Sequence, residues 1–280
     1  MKRSLLNKIT IGLVTGVLTL GLVGCGKVKT TESNEEKKTI TVGVSAGPYN
    51  ELFTDAVQPL LEKDGYTIEA VDFSELAQSN VATTEGSIDF TVSQHTAYLE
   101  NYNKEKGTEL TAIVHIPTVP AGVFSNKYTS IKEIRDGQIV AIPNDPSNAA
   151  RAFRLLVKAD LIKVDEAANQ ATLTKNNITE NPYNLNITEM NSSQIPRALD
   201  DVDFAVIPGS IVYISKLDYS KALLSEDVSK ELELVVIVDK KNADSKWAKD
   251  IVAAYKSEEF KKYMDENNKD NYWFIPDELK

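Results

Sequence analysis

The stretch Ile139–Leu156, IVAIPNDPSNAARAFRLL, decides how the rest of this chain is interpreted. It starts with an apolar run typical of a buried strand, continues through a turn rich in proline, asparagine and aspartate, and ends in strong helix formers. Ser147 or Asn148 is expected to cap the helix, and the free N–H groups at its N-terminus favour an anion. Arg151, within the first two turns, adds donors suited to a carboxylate. The stretch alone is also compatible with an ordinary strand–turn–helix that carries a surface arginine.

Residues 1–24 are expected to form a lipoprotein signal peptide. The positive residues Lys2, Arg3 and Lys8 precede an apolar run that is too short to span a membrane comfortably, and small residues stand before Cys25. This pattern resembles the lipobox of bacterial lipoproteins, in which the cysteine is lipidated and becomes the mature N-terminus. The alternative is an ordinary secretory signal with a chance cysteine. The expected location is the extracytoplasmic face of the cell membrane, with the lipid as anchor.

Composition and charge argue against several classes of partner and of site. Residues 25–38 are polar and charged, which predicts a flexible tether. The chain has 31 basic and 41 acidic residues, and removal of the three basic residues of the leader leaves a charge of −13, which argues against nucleic acid as a partner. Cys25 is the single cysteine, so neither a disulfide nor a cysteine-based metal site is expected. An enzyme on this scaffold remains an alternative, although no nucleophilic cysteine, metal cluster or glycine-rich phosphate loop supports catalysis or a cofactor.

Apolar periodicity predicts a strand–helix alternation that runs along the chain twice. From Thr39 to Lys106 the pattern is βαβαβα, which is typical of a parallel sheet with helical crossovers, and the alternation begins again near Ser130. The prediction is an α/β protein with two lobes and a cleft between them. Residues 39–126 and 231–280 are assigned to lobe 1, and residues 127–230 to lobe 2.

Seven segments carry a resemblance to a known family. They are Val42–Val44, Gly86–Asp89, Gln94–Leu99, Ile142–Asn148 with Arg151–Ala152, Ile178–Pro182, Gln194–Asp203 and Ala205–Ile207. Together they resemble the methionine-binding lipoprotein family, the NlpA-type substrate-binding proteins of ABC importers, over nearly all of the mature chain. The resemblance implies a two-lobed type II periplasmic-binding-protein-like fold that closes over a small ligand. It also implies capture of that ligand and delivery to an ABC importer permease, without chemistry on the ligand.

The resemblance also implies a set of ligand-binding residues. His95 and Tyr98 are expected to line the cleft from lobe 1, on one face of a helix that starts at Gln94. Asn148 and Arg151 are expected to hold the backbone of an amino-acid ligand from lobe 2, with Arg151 on its carboxylate, because a buried carboxylate without a partner is costly. For His95 the alternative is an interior histidine with a single hydrogen-bond partner.

The chain departs from the family pattern at three positions that bear on ligand identity. Leu76 stands where the family has a tyrosine, Ser93 where it has a phenylalanine, and Pro208 where it has an asparagine that binds the polar end of the ligand. Loss of two rings predicts a wider pocket. Loss of a hydrogen bond to a charged group, about 1.5–3 kcal/mol, predicts methionine binding weaker by roughly one to two decades. The expected ligand is therefore an amino acid, either methionine or a relative, or a larger carboxylate-bearing compound such as a short peptide. An adhesin or signalling lipoprotein that has lost the transport ligand is the alternative.

Overall fold

The computed structural model of the protein describes residues 37–268 and 272–280. The expected signal peptide, the lipidation site at Cys25 and most of the tether lie outside the described residues. Within the described ranges, no helix combines the length and the apolar character needed to cross a bilayer. The fold is mixed α/β, as the sequence predicts, and its strands form two five-stranded sheets and one two-stranded antiparallel sheet.

The strands are numbered along the chain. They are β1 Thr39–Val44, β2 Thr67–Asp72, β3 Phe90–His95, β4 Leu110–Ile116, β5 Gly122–Phe124, β6 Ile139–Pro143, β7 Lys163–Val164, β8 Ile178–Glu180, β9 Asn186–Met190, β10 Phe204–Ile207, β11 Leu224–Ser225 and β12 Leu234–Asp239. Sheet 1 has the order β2-β1-β3-β12-β4, and sheet 2 has the order β11-β5-β10-β6-β9.

Both sheets combine parallel and antiparallel pairs. In sheet 1, β1 is parallel to β2 and β3, whereas β12 runs antiparallel to β3 and β4. In sheet 2, β6 is parallel to β9 and β10, whereas β5 runs antiparallel to β10 and β11. The expectation of parallel sheets therefore holds only for the strands joined by helical crossovers. The strands on either side of a passage between sheets break the pattern, because the chain changes sheet there.

The helices are also numbered along the chain. They are α1 Pro48–Leu52, α2 Gln58–Lys63, α3 Leu76–Glu85, α4 Thr96–Lys106, α5 Pro146–Lys158, α6 Gly209–Ile214, α7 Lys246–Tyr255 and α8 Glu258–Asn267. The segments Ile131–Glu133 and Ser192–Ala198 form 3₁₀ helices. The second contains Pro196, whose missing N–H group does not suit an α-helical interior.

Each sheet has its own apolar core. The core of sheet 1 includes Phe53, Phe90 and Trp247, and the core of sheet 2 includes Phe153 and Phe204. Helix α5 buries a broad apolar face against sheet 2 and carries arginines on its other side. This packing fixes where α5 begins and therefore positions the site described below.

The chain passes between the two sheets twice. Residues 117–121 join β4 to β5, and residues 226–233 join β11 to β12. The sequence assigns residues 122–126 to lobe 1, but β5 pairs with β10 in sheet 2, and Ser125 and Asn126 donate hydrogen bonds to Asp203 and Asp200, so these residues belong with lobe 2. A three-residue strand carries too little periodicity for its sheet to be identified from sequence. Within the described residues these two passages are the covalent links between the sheets, so a closing motion of the lobes would bend the chain here.

Candidate ligand-binding site

A cavity of about 310 Å³ lies between the two sheets. It is lined by the residues that follow the carboxyl ends of β1, β3, β6 and β10, which is where ligands bind in open α/β folds. All seven residues predicted from the sequence to bind ligand line this cavity. They are Leu76, Ser93, His95, Tyr98, Asn148, Arg151 and Pro208.

Helix α5, which follows the turn after β6, begins earlier in the sequence than expected. Asp145, and neither Ser147 nor Asn148, is the N-cap, and Pro146 occupies the first helical position. The Asp145 carboxylate accepts the backbone N–H of Asn148 at 3.0 Å and its side-chain amide at 3.1 Å. The predicted anion site at the helix N-terminus is therefore already served by a side chain of the protein. Proline suits the first helical position, because the N–H group that it lacks would have no partner there.

Arg151 lies one turn and a half into α5 and lines the cavity, yet its residue surface is only 5% exposed. Its Nε donates to Oε1 of Glu226 at 2.9 Å, and Nη2 donates to Oε2 of the same carboxylate at 2.5 Å. Its Nη1 donates to Oδ1 of Asn148 at 3.0 Å. A guanidinium has five N–H donors, so one N–H on each terminal nitrogen remains for a ligand.

Glu226 was not predicted from the sequence. It stands at the start of the second passage between the sheets and also accepts the backbone N–H of Ala121, in the first passage, at 2.9 Å. Burial opposes ionisation of this carboxyl group, but the charge and hydrogen bonds of Arg151 outweigh it and lower the pKa of Glu226. Arg151 and Glu226 thus form an ionised pair in which Nε and Nη2 contact the two carboxylate oxygens, and each side chain is 6% exposed. A single glutamate in SEDVS carries no motif that would identify such a partner.

His95 is the last residue of β3 and the N-cap of α4. The expectation that it lies inside a helix starting at Gln94 is wrong, since α4 begins at Thr96. Its Nδ1 accepts the backbone N–H of Tyr98 at 3.2 Å, and its Nε2 is buried without a partner within the described residues. Burial, followed by the positive charge of Arg151, lowers the pKa of His95 to about 3. The ring is therefore neutral and its proton is on Nε2, which leaves an unused donor in a cavity-lining residue.

Leu76 and Ser93, two of the three positions expected to differ from the family, line the cavity from the sheet 1 side. Ser93 in β3 has a buried hydroxyl that finds no partner among the described residues. Leu76 is the first residue of α3, and a reciprocal amide pair between Asn80 and Gln94 ties that helix to β3. The Asn80 amide donates to Oε1 of Gln94 at 3.1 Å. This buried pair was not predicted, and it fixes the relative position of Leu76 and Ser93.

Pro208 and α6 close the cavity from the sheet 2 side. Pro208 precedes α6 and accepts the N–H groups of Ile211 and Val212 through its carbonyl at 2.9 and 3.0 Å, but it offers no side-chain cap. The next residue must be glycine, because a Cβ on Gly209 would lie 2.6 Å from the carbonyl oxygen of Pro120. The short helix therefore packs directly on the first passage between the sheets.

Comparison with known proteins agrees with this architecture. The profile of the NlpA lipoprotein family matches residues 40–275. The D-methionine-binding lipoprotein MetQ of Escherichia coli (strain K12) is 32% identical over 252 residues, which are 89% of this chain and 90% of that protein. The structure of a nutrient-binding protein from Burkholderia cenocepacia bound to methionine has a TM-score of 0.78 at 32% identity, covering 84% of this chain and 99% of that one.

A third relative is the substrate-binding protein of a methionine transporter from Streptococcus pneumoniae. Its crystal structure has a TM-score of 0.76 at 36% identity and covers 85% of this chain and 96% of that one. The match extends over both sheets and over the cavity between them. The fold is accordingly that of the two-lobed periplasmic substrate-binding proteins. By its sequence profile and its relatives, the chain belongs to the NlpA lipoprotein family.

Proposed function

We propose that this protein is a lipid-anchored solute-binding protein that captures an amino acid and delivers it to an ABC importer. The observation that carries the proposal is the cavity itself, which gathers a buried arginine, a neutral histidine donor and a buried serine hydroxyl between two lobes. Ligand sites in proteins span roughly 300–1,000 Å³. A cavity of about 310 Å³ is at the small end, which favours a single amino acid over a long peptide.

The polar groups favour a ligand with a carboxylate. Arg151 keeps two N–H donors for a ligand, and the Nε2–H of His95 adds a third. Buried donors without partners carry a desolvation cost that a carboxylate oxygen would remove. Asn148 lies beside Arg151 and lines the same cavity, so it is placed to contact the same end of the ligand.

Methionine is the first candidate ligand, because relatives are named as binding it or serving its transport. Leu76, Ser93 and Pro208 nevertheless all line the cavity, and the family resemblance implies a tyrosine, a phenylalanine and an asparagine at these positions. We therefore propose methionine or another amino acid of similar size, with reduced methionine affinity. The lipid anchor at Cys25 and the importer partner complete the proposal and rest on family membership.

Native mass spectrometry of the chain from Gly26 onward, purified without denaturation, tests the proposal. A mass excess that disappears on unfolding would identify the captured compound directly. An excess equal to methionine supports the family ligand, and an excess equal to another amino acid supports a shifted specificity. No excess, together with no rise in melting temperature across the amino acids and dipeptides, would contradict the proposal, since a ligand that binds only the folded state must stabilise it.

A further inference from the structure

The positive charge of Arg151 is cancelled before any ligand enters. Glu226 does not line the cavity. Its carboxylate accepts hydrogen bonds from two nitrogens of Arg151, at 2.9 and 2.5 Å. Both side chains are almost fully buried, so water does not screen the pair. The carboxylate end of the cavity therefore offers N–H donors without a net charge.

The other charged groups at the cavity are acidic. Among the described residues that line it, Arg151 is the one basic side chain, whereas Glu75 and Asp145 are carboxylates that form no ion pair within the described ranges. Glu75 and Asp145 line the same cavity as Tyr98, and burial, followed by the negative charges of Asp145 and Glu75, raises the pKa of Tyr98. Tyr98 is itself close to His95, with ring centroids 6.4 Å apart. The cavity wall thus combines hydrogen-bond donors with two negative charges.

We propose that Glu226 determines the charge type of the ligand: by cancelling Arg151, it makes the cleft selective for a zwitterion over a compound that carries a carboxylate alone. A lone carboxylate on Arg151 would place two carboxylates around one guanidinium and leave a buried negative charge without compensation. An ammonium group on the same ligand supplies that compensation, and Asp145 and Glu75 attract it. The inference rests on the proposed function, because it requires the ligand carboxylate to meet Arg151.

Two probes that differ only in the ammonium group test this proposal. They are L-methionine and 4-(methylthio)butanoate, its analogue without the amino group, each titrated by calorimetry into the wild-type protein and into Glu226→Gln. We expect the wild-type protein to prefer methionine by about tenfold or more, and Glu226→Gln to reduce that ratio by about tenfold. The ratio is the readout because a loosened Arg151 would weaken both probes, which carry the same carboxylate.

The matched control is Glu231→Gln. Glu231 pairs with Arg154, one turn further along α5, at 2.9 Å, and neither residue lines the cavity. This control should leave the ratio of the two affinities unchanged. An equal shift in both variants would mean that overall charge, and not Glu226, sets the preference, and it would overturn the proposal.

The remaining outcomes separate this inference from the proposed function. If methionine binds but the ratio is the same in wild type and Glu226→Gln, the inference is wrong and the proposed function stands. If neither probe binds the wild-type protein, a methionine-type ligand is excluded and the inference falls with it. The wild-type ratio requires no variant, so equal affinities for the two probes would overturn the proposal even if Glu226→Gln did not fold.

Discussion

At the scale of single residues, the Arg151–Glu226 pair changes what substitution of Arg151 would do. Arginine in a surface strand–turn–helix could be replaced with little effect on folding. Here the guanidinium is 6% exposed and bonded side-on to a carboxylate that is equally buried. Removal of one partner of a buried ion pair leaves an uncompensated charge, whereas removal of both leaves none.

Arg151→Ala is therefore expected to lower the free energy of unfolding by about 3–5 kcal/mol in addition to abolishing carboxylate binding. Arg151→Met combined with Glu226→Leu should recover at least half of that loss, because both charges are gone and the volume is largely kept. Urea unfolding of the three proteins measures the difference. If Arg151→Ala costs less than about 1 kcal/mol, the buried pair does not contribute as described.

His95 makes stability depend on pH with a defined sign. Its pKa is lowered from 6.5 to about 3 in the folded state, so between these values the unfolded chain takes up a proton that the folded chain does not. Stability from this group is complete above pH 6.5 and falls as the pH is lowered. From pH 8 to pH 5.5 the expected loss is about 1.4 kcal/mol.

The measurement compares the wild-type protein with His95→Gln by urea unfolding, without ligand, over that pH range. In the variant, the free energy of unfolding should lose the part of its pH dependence that comes from His95. His115→Gln is the control, because His115 lies outside the cavity and pairs with Glu278 at 2.6 Å. If His95→Gln retains the full slope of the wild-type protein, His95 is not held neutral by burial.

At the scale of elements, the ends of α3, β3 and α6 bring together the three positions at which the sequence is expected to depart from the family. Leu76 begins α3, Ser93 lies two residues before the end of β3, and Pro208 precedes α6, and all three line one cavity. The three positions therefore share one cavity wall. The substitutions form one altered surface, and their effects on ligand affinity are expected to be coupled.

Restoring the family residues with Leu76→Tyr, Ser93→Phe and Pro208→Asn should strengthen L-methionine binding by about one to two decades. Two rings would again flank the side chain, and an asparagine would offer its amide. Calorimetry measures the gain. Val81→Tyr is the control, since it adds a ring on the exposed side of α3. No gain in the triple variant would mean that these positions do not set methionine affinity.

The elements also show which parts of the site were predictable from sequence. Strong periodicity located β6, α5 and β10, and the family motifs located the cavity residues that follow those strands. The start of α5 was missed because Asp145, Ser147 and Asn148 are all good N-cap residues, and only the packing of α5 on sheet 2 selects among them. Glu226 was missed because its partner is 75 positions away in the sequence and no local pattern records that contact.

At the scale of the whole molecule, α5 joins the cavity to the second passage between the sheets. Arg151 donates hydrogen bonds to Glu226 at the start of that passage. Within the passage, Arg154 donates hydrogen bonds to Glu231 and to Ser229, both at 2.9 Å. Residues three apart lie on one helical face, so both arginines hold the same segment. A ligand that moves α5 must therefore also act on residues 226–233, the segment expected to bend when the lobes close.

Two contacts cross the cleft away from the hinge and should stabilise the closed form. The amide of Asn101 in α4 donates to the hydroxyl of Ser147 in α5 at 3.1 Å, and the hydroxyl of Tyr213 in α6 donates to Glu51 in α1. The two partners of each contact belong to different lobes, so opening of the cleft must break both contacts. Neither contact requires a ligand group, and for this reason they affect closure without forming part of the binding site.

Asn101→Ala combined with Tyr213→Phe is expected to speed ligand release by about five- to 150-fold, because two hydrogen bonds, each contributing about 0.5–1.5 kcal/mol net, are lost from the closed form alone. The association rate should change little, since the open form that admits the ligand keeps all of its contacts. Stopped-flow fluorescence with the captured ligand measures both rates. Asn126→Ala is the matched control, because its 2.7 Å bond to Asp200 lies within lobe 2. Equal release rates in all three proteins would show that closure depends on the hinge and the ligand and not on contacts across the cleft.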